Sequence, residues 1–323
     1  MFTIRFDMRA PSSGAPTSDL YAAAIDMCAF AETRGAIVAV LSEHHGAEDN
    51  HLPSPIVLAS AVAARTNWLP IMLAAVVLPF WDPVRLAEEM SVLDIISKGR
   101  VSYVFGIGHR PEEYQMFGVD MRRRGRLADE KLGMLRQLLT GEPVEFNGRQ
   151  IRVTPPCTSS GGPFIMLAGG SEAAVKRAAR HGLGVVLQTN HGGLDKLYEK
   201  QCRAHGHEPG FVQLPARNAP TAVFVTNDVD KAWDELGPHL LHDAITAASY
   251  RQGDDGVASI SRAMDVGGLR SANGPYRVFT IDEAADYMRG GHALPLAPLC
   301  GGIPPTLAWP YLKRAAYAAV RAS

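Results

Sequence analysis

The feature that most narrows the fold of this chain is an alternation. Eight short, largely apolar runs fall at residues 2–6, 36–41, 70–78, 101–107, 164–168, 184–188, 219–226 and 293–299. Segments with helical spacing separate them. A short run that is apolar throughout reads as a strand covered on both faces, the condition of parallel sheets. Parallel neighbours need a long crossover, usually a helix, and the intervening segments supply it. Between the first two runs, Thr17, Ser18 and Asp19 offer an N-cap. Leu20, Ala23, Ala24, Met27, Phe30 and Ala31 then repeat at helical spacing up to Gly35. Asp82 with Pro83 opens another helix, which Lys98-Gly99 closes.

The same reading predicts helices over 54–66, 122–140, 172–181, 193–205, 228–242, 282–289 and 304–320. Residues 142–153 alternate weakly around Asn147-Gly148, a hairpin signal. Residues 253–275 are rich in Gly, Ser and Asp without a period, which predicts an insertion or mobile loop. Eight strands alternating with helices in this length give a (β/α)8 TIM barrel as the expected fold class. The alternative is a doubly wound open sheet, but no G-x-G-x-x-G follows the first strand. No linker separates two cores, so residues 1–323 are expected to form one domain.

Composition removes several classes of function. Net charge is −1, and no basic stripe interleaves with aromatics, so nucleic acid is not an expected partner. The N-terminal residues lack a charged segment followed by an apolar one, which predicts no signal peptide. The longest apolar stretch, residues 71–80, is far too short to span a bilayer. Cys28, Cys157, Cys202 and Cys300 are scattered with no C-x-x-C. That pattern argues against a disulfide scaffold or zinc knuckle and suits a cytoplasmic setting.

In a barrel the strand ends gather around one mouth, where reactive groups collect. The second strand stops abruptly at Glu43-His44-His45, and histidine is the side chain best suited to exchange a proton near neutral pH. A helix cap or a satisfied loop histidine is the bland reading of one such residue; three polar groups after a buried strand favour chemistry. The other ends carry Asp7, Ala74-Ala75, Gly106-Ile107-Gly108-His109, Ala168-Gly169-Gly170-Ser171, Gln188-Thr189-Asn190-His191 and Cys300-Gly301-Gly302. Small residues let backbone approach a flat ligand closely. Such a floor suits a planar cofactor better than a metal ion. A metal set of His44, His45, His191 and Asp7 is disfavoured, because adjacent histidines on extended chain point to opposite sides. Gly169-Gly170-Ser171 before a helix reads either as a phosphate site or as an ordinary turn with Ser171 as N-cap. The run Arg122-Arg123-Arg124-Gly125-Arg126 is a second phosphate candidate, although a solvated helix start explains most of it. No G-x-S-x-G elbow supports nucleophilic hydrolysis.

Several stretches together resemble the bacterial luciferase-like, flavin-dependent monooxygenases. They are Ser42-Glu43-His44-His45, Ala74-Ala75-Val76-Val77-Leu78-Pro79, Asp82-Pro83-Val84-Arg85-Leu86-Ala87-Glu88-Glu89, Leu93-Asp94-Ile95-Ile96-Ser97-Lys98-Gly99-Arg100, Phe117-Gly118-Val119-Asp120, Thr140-Gly141-Glu142 and Ala168-Gly169-Gly170-Ser171. Each alone is weak; their order and spacing are specific. The resemblance implies a homodimeric barrel enzyme. It would use reduced FMN and oxygen to oxygenate a small molecule, with the flavin supplied by a separate reductase. It implies His44 as the acid/base residue and His45 beside it at the mouth. It also implies flavin contacts from Ala74 and Ala75, joined by a cis peptide, and from Gly106, Gly108, His109, Gly169, Gly170 and Ser171. Some relatives use the deazaflavin F420 for hydride transfer instead, and a non-catalytic flavin-binding protein is a third reading. One departure stands out. Family members often carry an Arg-Gly pair after the fourth-strand glycines, whereas here His109-Arg110-Pro111 follows directly. The missing arginine weakens the phosphate site, so that flavin binds weakly as a diffusing reduced substrate, unless Arg110 or an arginine of the run at 122–126 substitutes.

Overall fold

The computed structural model describes every residue except 147, 190, 216–218, 252–256 and 323. Twelve strands lie among the described residues: β1 (Phe2–Phe6), β2 (Ala36–Leu41), β3 (Ile71–Val77), β4 (Val101–Gly106), β5 (Val144–Phe146), β6 (Arg149–Ile151), β7 (Phe164–Gly169), β8 (Gly184–Leu187), β9 (Val212–Gln213), β10 (Ala222–Thr226), β11 (Tyr276–Thr280) and β12 (Leu294–Leu296). All eight strands read from the sequence are present, with boundaries shifted by a few residues.

The chain forms two compact units. The first comprises Met1–Pro53, Trp68–Pro70 and Pro215–Ser323. Its strands run in the order β11-β10-β12-β1-β2, and every pair is parallel. β1 places Phe2, Ile4 and Phe6 in the core, all at most 2% exposed. The Thr17–Glu32 helix buries Leu20, Ala23, Ala24, Met27, Cys28 and Ala31, the face expected from its spacing. The Ile281–Arg289 helix opens with a reciprocal capping box between Thr280 and Glu283, worth about 1 kcal/mol at the cap.

The second unit comprises Ser54–Asn67 and Ile71–Leu214. Its parallel strands run β3-β4-β7-β8-β9. Asp82 caps the Pro83–Ser97 helix by accepting from the Val84 and Arg85 N–H groups at 2.9 and 3.0 Å. Lys98 and Gly99 end it in left-handed geometry, as the sequence predicts. Farther along this helix, Asp94 is fully buried and accepts four hydrogen bonds of 2.6–2.8 Å, from the backbone and hydroxyls of Thr158 and Ser159. β5 and β6 pair antiparallel, forming the expected hairpin; Asn147 at its turn lies outside the described residues.

Four expectations need correction. The first helix begins at Thr17 directly after Pro16 with no side-chain cap bond, so Thr17, Ser18 and Asp19 lie inside its first turn and do not cap it. The helix predicted to stop at His242 runs Val229–Ser249 straight through Pro238, because the apolar face continues to Ala244. Of the expected insertion, residues 253–256 lie outside the described set, and the remainder holds a short helix, Val266–Ser271, capped by Asp265. β9 and β11 were not anticipated. β9 has two residues, below any periodicity signal, and β11 sits directly against the Gly-rich segment that masked its start. No described helix is long and apolar enough to cross a membrane.

Candidate functional site

In the second unit the strand ends present almost bare backbone. The Ala74-Ala75 peptide is cis. Gly106 ends β4, and a Cβ there would meet the Ala75 Cβ at 3.3 Å. Gly108 has φ +70, and a Cβ would come within 2.9 Å of Val77 Cγ1. Only glycine fits that turn without strain. After β7, a Cβ on Gly169 would lie 2.3 Å from the Ala174 Cβ, and one on Gly170 would lie 2.7 Å from Thr189 Cγ2. Ser171 is the N-cap of the Glu172–Arg180 helix and accepts from the Ala174 N–H at 3.4 Å. The bland reading of Ser171 therefore describes its hydroxyl. Glu172, whose charge opposes an anion at this turn, is paired with Lys176 at 2.8 Å.

The loop after β4 answers the question of the missing arginine. Arg110 is buried and committed to Glu113 at 3.1 Å. Tyr114 hydrogen-bonds the Ile107 carbonyl, tying the loop to the helix that follows. His109 is half-buried. Of the arginine run, Arg122 and Arg126 are exposed and paired with Asp120 and Glu130. Arg124 is half-buried, and its positive charge acts on Tyr114. Among the described residues its guanidinium has no hydrogen-bonded or ion-paired partner. A cavity of about 10 Å³ lies nearby, lined by Leu78, Phe105, Gly106, Leu132, Ala168 and Arg177. It has room for about one water and is a packing gap between strands and helices.

In the first unit the strand ends are crowded with charge. β2 ends at Leu41, and residues 42–53 fold back across the end of β1. The His44 N–H bonds the Leu52 carbonyl at 3.1 Å, the Leu52 N–H bonds the Asp7 carbonyl at 2.8 Å, and the Ala10 N–H bonds the Asp49 carbonyl at 2.6 Å. The two adjacent histidines diverge. His45 is buried, with Nε2 2.8 Å from Glu43 Oε1. His44 is half-buried, and its ring stands edge-on to His51 at 4.9 Å between centroids. His51 Nε2 in turn lies 3.1 Å from Ser42 Oγ. These contacts fix both imidazoles through different partners.

Arg9 organises the rest. Its Nη1 donates to Asp49 Oδ2 at 2.6 Å, and its Nε lies 2.9 Å from Asp243 Oδ1, an ion pair without hydrogen-bond alignment. Asp7 sits 3.7 Å away and accepts from the Arg9 N–H. His242 Nε2 reaches Asp49 at 3.1 Å, and the Tyr276 hydroxyl donates to Asp243 at 2.6 Å. Burial, reinforced by the negative charge of Asp243, raises the Asp7 carboxyl to about 6. Burial alone would raise Asp49 too, but the Arg9 charge and the hydrogen bonds from Arg9 and His242 outweigh it, holding that carboxyl below its usual range. Burial also lifts the Tyr276 phenol and the Cys300 thiol well above their ordinary values, with Asp243 adding to both.

The family model for luciferase-like monooxygenases matches residues 2–279. The chain belongs to the luciferase-like monooxygenase family. Among curated relatives, the alkanal monooxygenase alpha chain of Photorhabdus luminescens is 31% identical over 180 residues, 52% of this chain and 49% of that one. The oxygenase component of the flavin-dependent trigonelline monooxygenase of Acinetobacter baylyi is 28% identical over 207 residues, 62% of this chain and 57% of that one. The chain thus spans about half the length of the curated relatives it matches. Among solved structures, a monooxygenase from Streptomyces bottropensis superposes with a TM-score of 0.77 at 20% identity, covering 99% of each chain. The oxygenating constituent of 3,6-diketocamphane monooxygenase from Pseudomonas putida, in complex with FMN, gives 0.69 at 17% identity, covering 100% of this chain and 98% of that one. These likenesses carry the fold, a luciferase-like α/β fold built on parallel strands.

Within that family frame, the residues singled out from the sequence fall into two sets. Ala74, Ala75, Gly106, Gly108, His109, Gly169, Gly170 and Ser171 belong to the second unit, and His44 and His45 to the first. Sequence reasoning did not single out Arg9, Asp49, His51, Asp243 or Tyr250. Asp243 and Tyr250 are seven residues apart, two turns on one helix face, which is the signal that would have paired them.

Proposed function

We propose that this luciferase-like protein binds FMN in its reduced form and uses it with oxygen to oxygenate a small organic molecule. The observation that carries the reading is the row of small, half-buried strand-end residues in the second unit, which offers backbone and methyl groups to a planar ring. The residues present fit such a group. Ala74, Ala75, Gly106 and Gly108 would line the ring, and His109 would flank it. Gly169, Gly170 and Ser171 would take the phosphate end, where pairing of Glu172 with Lys176 relieves the like charge. Arg124, with its guanidinium uncommitted among the described residues, would supply the phosphate cation that the short loop after Gly108 lacks. When bound, the flavin supplies the oxygen and redox chemistry. His44 would give or take the proton at its imidazole, and the Glu43 carboxylate would hold His45 in one orientation.

The whole span 1–323 would act as one luciferase-like domain, with reduced flavin delivered by a separate reductase. The exposed Val57, Val92, Ile95 and Ile96 on the first two helices of the second unit would seat a second copy in a homodimer. The four cysteines are free, in keeping with a cytoplasmic enzyme. Titration of the purified protein with FMN, reduced FMN and F420, followed by calorimetry, tests the reading. Preference for reduced FMN with oxygen uptake supports it. Preference for F420 moves the chemistry to hydride transfer, and binding of none removes the flavin reading.

A further inference from the structure

Tyr250 closes the C-terminal end of the Val229–Ser249 helix, donating its N–H to the Thr246 carbonyl. Its ring is touched from two directions. The Arg9 guanidinium carbon lies over it at 5.2 Å from the centroid. The His44 ring meets it at 5.2 Å between centroids, tilted by 59°. His44 thus meets the rings of Tyr250 and, edge-on at 86°, His51. Of these, His51 is carried by the same loop as His44, while Tyr250 arrives from a separate helix.

The position of Tyr250 is itself determined. Asp243 lies two turns earlier on the same helix and is ion-paired to Arg9 at 2.9 Å. One helix face thus grips the guanidinium twice, by charge through Asp243 and by the face of an aromatic ring through Tyr250. Arg9 cannot easily turn away. Asp49 holds its other end at 2.6 Å, and the Arg9 side chain is only 4% exposed. Burial would lower the Arg9 pKa, but Asp243, Asp7 and Asp49 together outweigh it and keep the group charged. Three carboxylates around one buried arginine give a rigid post, and Tyr250 leans on it. The tyrosine ring, 5.2 Å from the His44 ring between centroids, then limits where the imidazole can lie. An aromatic neighbour against a rotatable imidazole restricts its ring angle without a hydrogen bond, leaving both nitrogens to other partners.

We propose that Tyr250, braced by Arg9, is a positioning residue for His44, fixing the ring orientation of the proton-transfer group. The inference rests on the acid/base role given to His44 above. Nothing in it requires the tyrosine hydroxyl, so the ring alone does the positioning.

The test uses the full chain with histidine ring-labelled for NMR, together with oxygen uptake driven by reduced FMN. The His44 ring signals are identified by their loss in His44→Ala. In Tyr250→Leu the His44 ring signals should shift and broaden, and turnover should fall about tenfold while KM for reduced FMN stays within about twofold. Tyr250→Phe should keep both the signals and at least a third of the turnover. Adding Tyr250→Leu to His44→Ala should cost nothing further, since the tyrosine acts only through the histidine. Unmoved His44 signals in a folded Tyr250→Leu protein would overturn the inference, as would a loss that simply multiplies with that of His44→Ala. If His44→Ala itself loses less than tenfold, the acid/base reading of His44 falls. The ring signals still decide whether Tyr250 holds the imidazole.

Discussion

The two units finish their strands in opposite ways. In the first, the ends of β1 and β2 lead into Asp7, Arg9, Glu43, His44, His45 and Asp49, a set of titratable groups largely withdrawn from water and bonded to one another. In the second, the ends of β3, β4 and β7 lead into Ala75, Gly106, Gly108, Gly169 and Gly170, which carry nothing larger than a methyl group. The contrast teaches that chemistry and accommodation ask for different sequences. Proton transfer needs groups whose orientation and charge are imposed by neighbours. A flat ligand needs neighbours that stay out of its way.

If that division of labour holds, substitutions in the two units should fail differently. His44→Ala should cost the most, lowering reduced-FMN-dependent oxygen uptake by ~10²–10⁴ with flavin affinity unchanged in calorimetry. A loss below tenfold breaks the assignment of proton chemistry to the first unit. Asp94→Ala should come next, lowering stability by ~3 kcal/mol in urea denaturation, because four donors lose their buried acceptor. Burial opposes ionisation of Asp94, but the bonds from Ser159 and Thr158 outweigh it and lower its carboxyl. The stability it adds should therefore be present above the ordinary value of 3.8 and be lost as pH falls through the lowered one. An unchanged midpoint would show that this buried carboxylate of the second unit does no structural work.

Smaller effects sharpen the comparison further. Gly169→Ala drives a methyl into Ala174 and should cost ~1–3 kcal/mol, with flavin affinity falling in parallel; unaltered FMN binding would separate that turn from the cofactor. Arg124→Gln should weaken FMN about tenfold, ~1.4 kcal/mol, and leave riboflavin binding alone, since only the phosphate needs the charge. Equal losses for both ligands would remove the phosphate role. The mildest change is Asp7→Asn. The folded Asp7 carboxyl is raised to about 6 from its ordinary 3.8, so the wild type loses stability as pH rises through that window. Asparagine still accepts from the Arg9 N–H and carries no charge. The variant should gain on the wild type above about pH 6, with the difference closing below the ordinary carboxylate range. Thermal melts across that range check the sign.

Much of this was legible in the chain. Most of the eight strands announced themselves as short, largely apolar runs, and the helix starts at Asp82-Pro83 and Ser171-Glu172 because caps are local chemistry. Glu43-His44-His45 stood out because charge interrupts a buried strand. What stayed hidden is long-range. Arg9 meets Asp49, Asp243 and Tyr250 across 40, 234 and 241 residues of sequence, and no spacing rule links them. Arg124 looked like one of four solvated arginines, and only packing distinguishes it from its neighbours. The helix that holds Pro238 was read as far as His242, and its last two turns were missed although the apolar face continues to Ala244.

The grip of Asp94 on Thr158 and Ser159, reinforced by the bond from Ser91 Oγ to the Pro155 carbonyl, has a wider meaning for how such a chain can change. The excursion that carries the β5–β6 hairpin is fastened to its unit at these bonds, just before β7 begins. With the chain pinned there, a change of length at the tip of the hairpin should leave the register of the strand that follows unaltered. The anchoring bonds thus separate the part of the excursion free to vary from the strand whose end must stay in place.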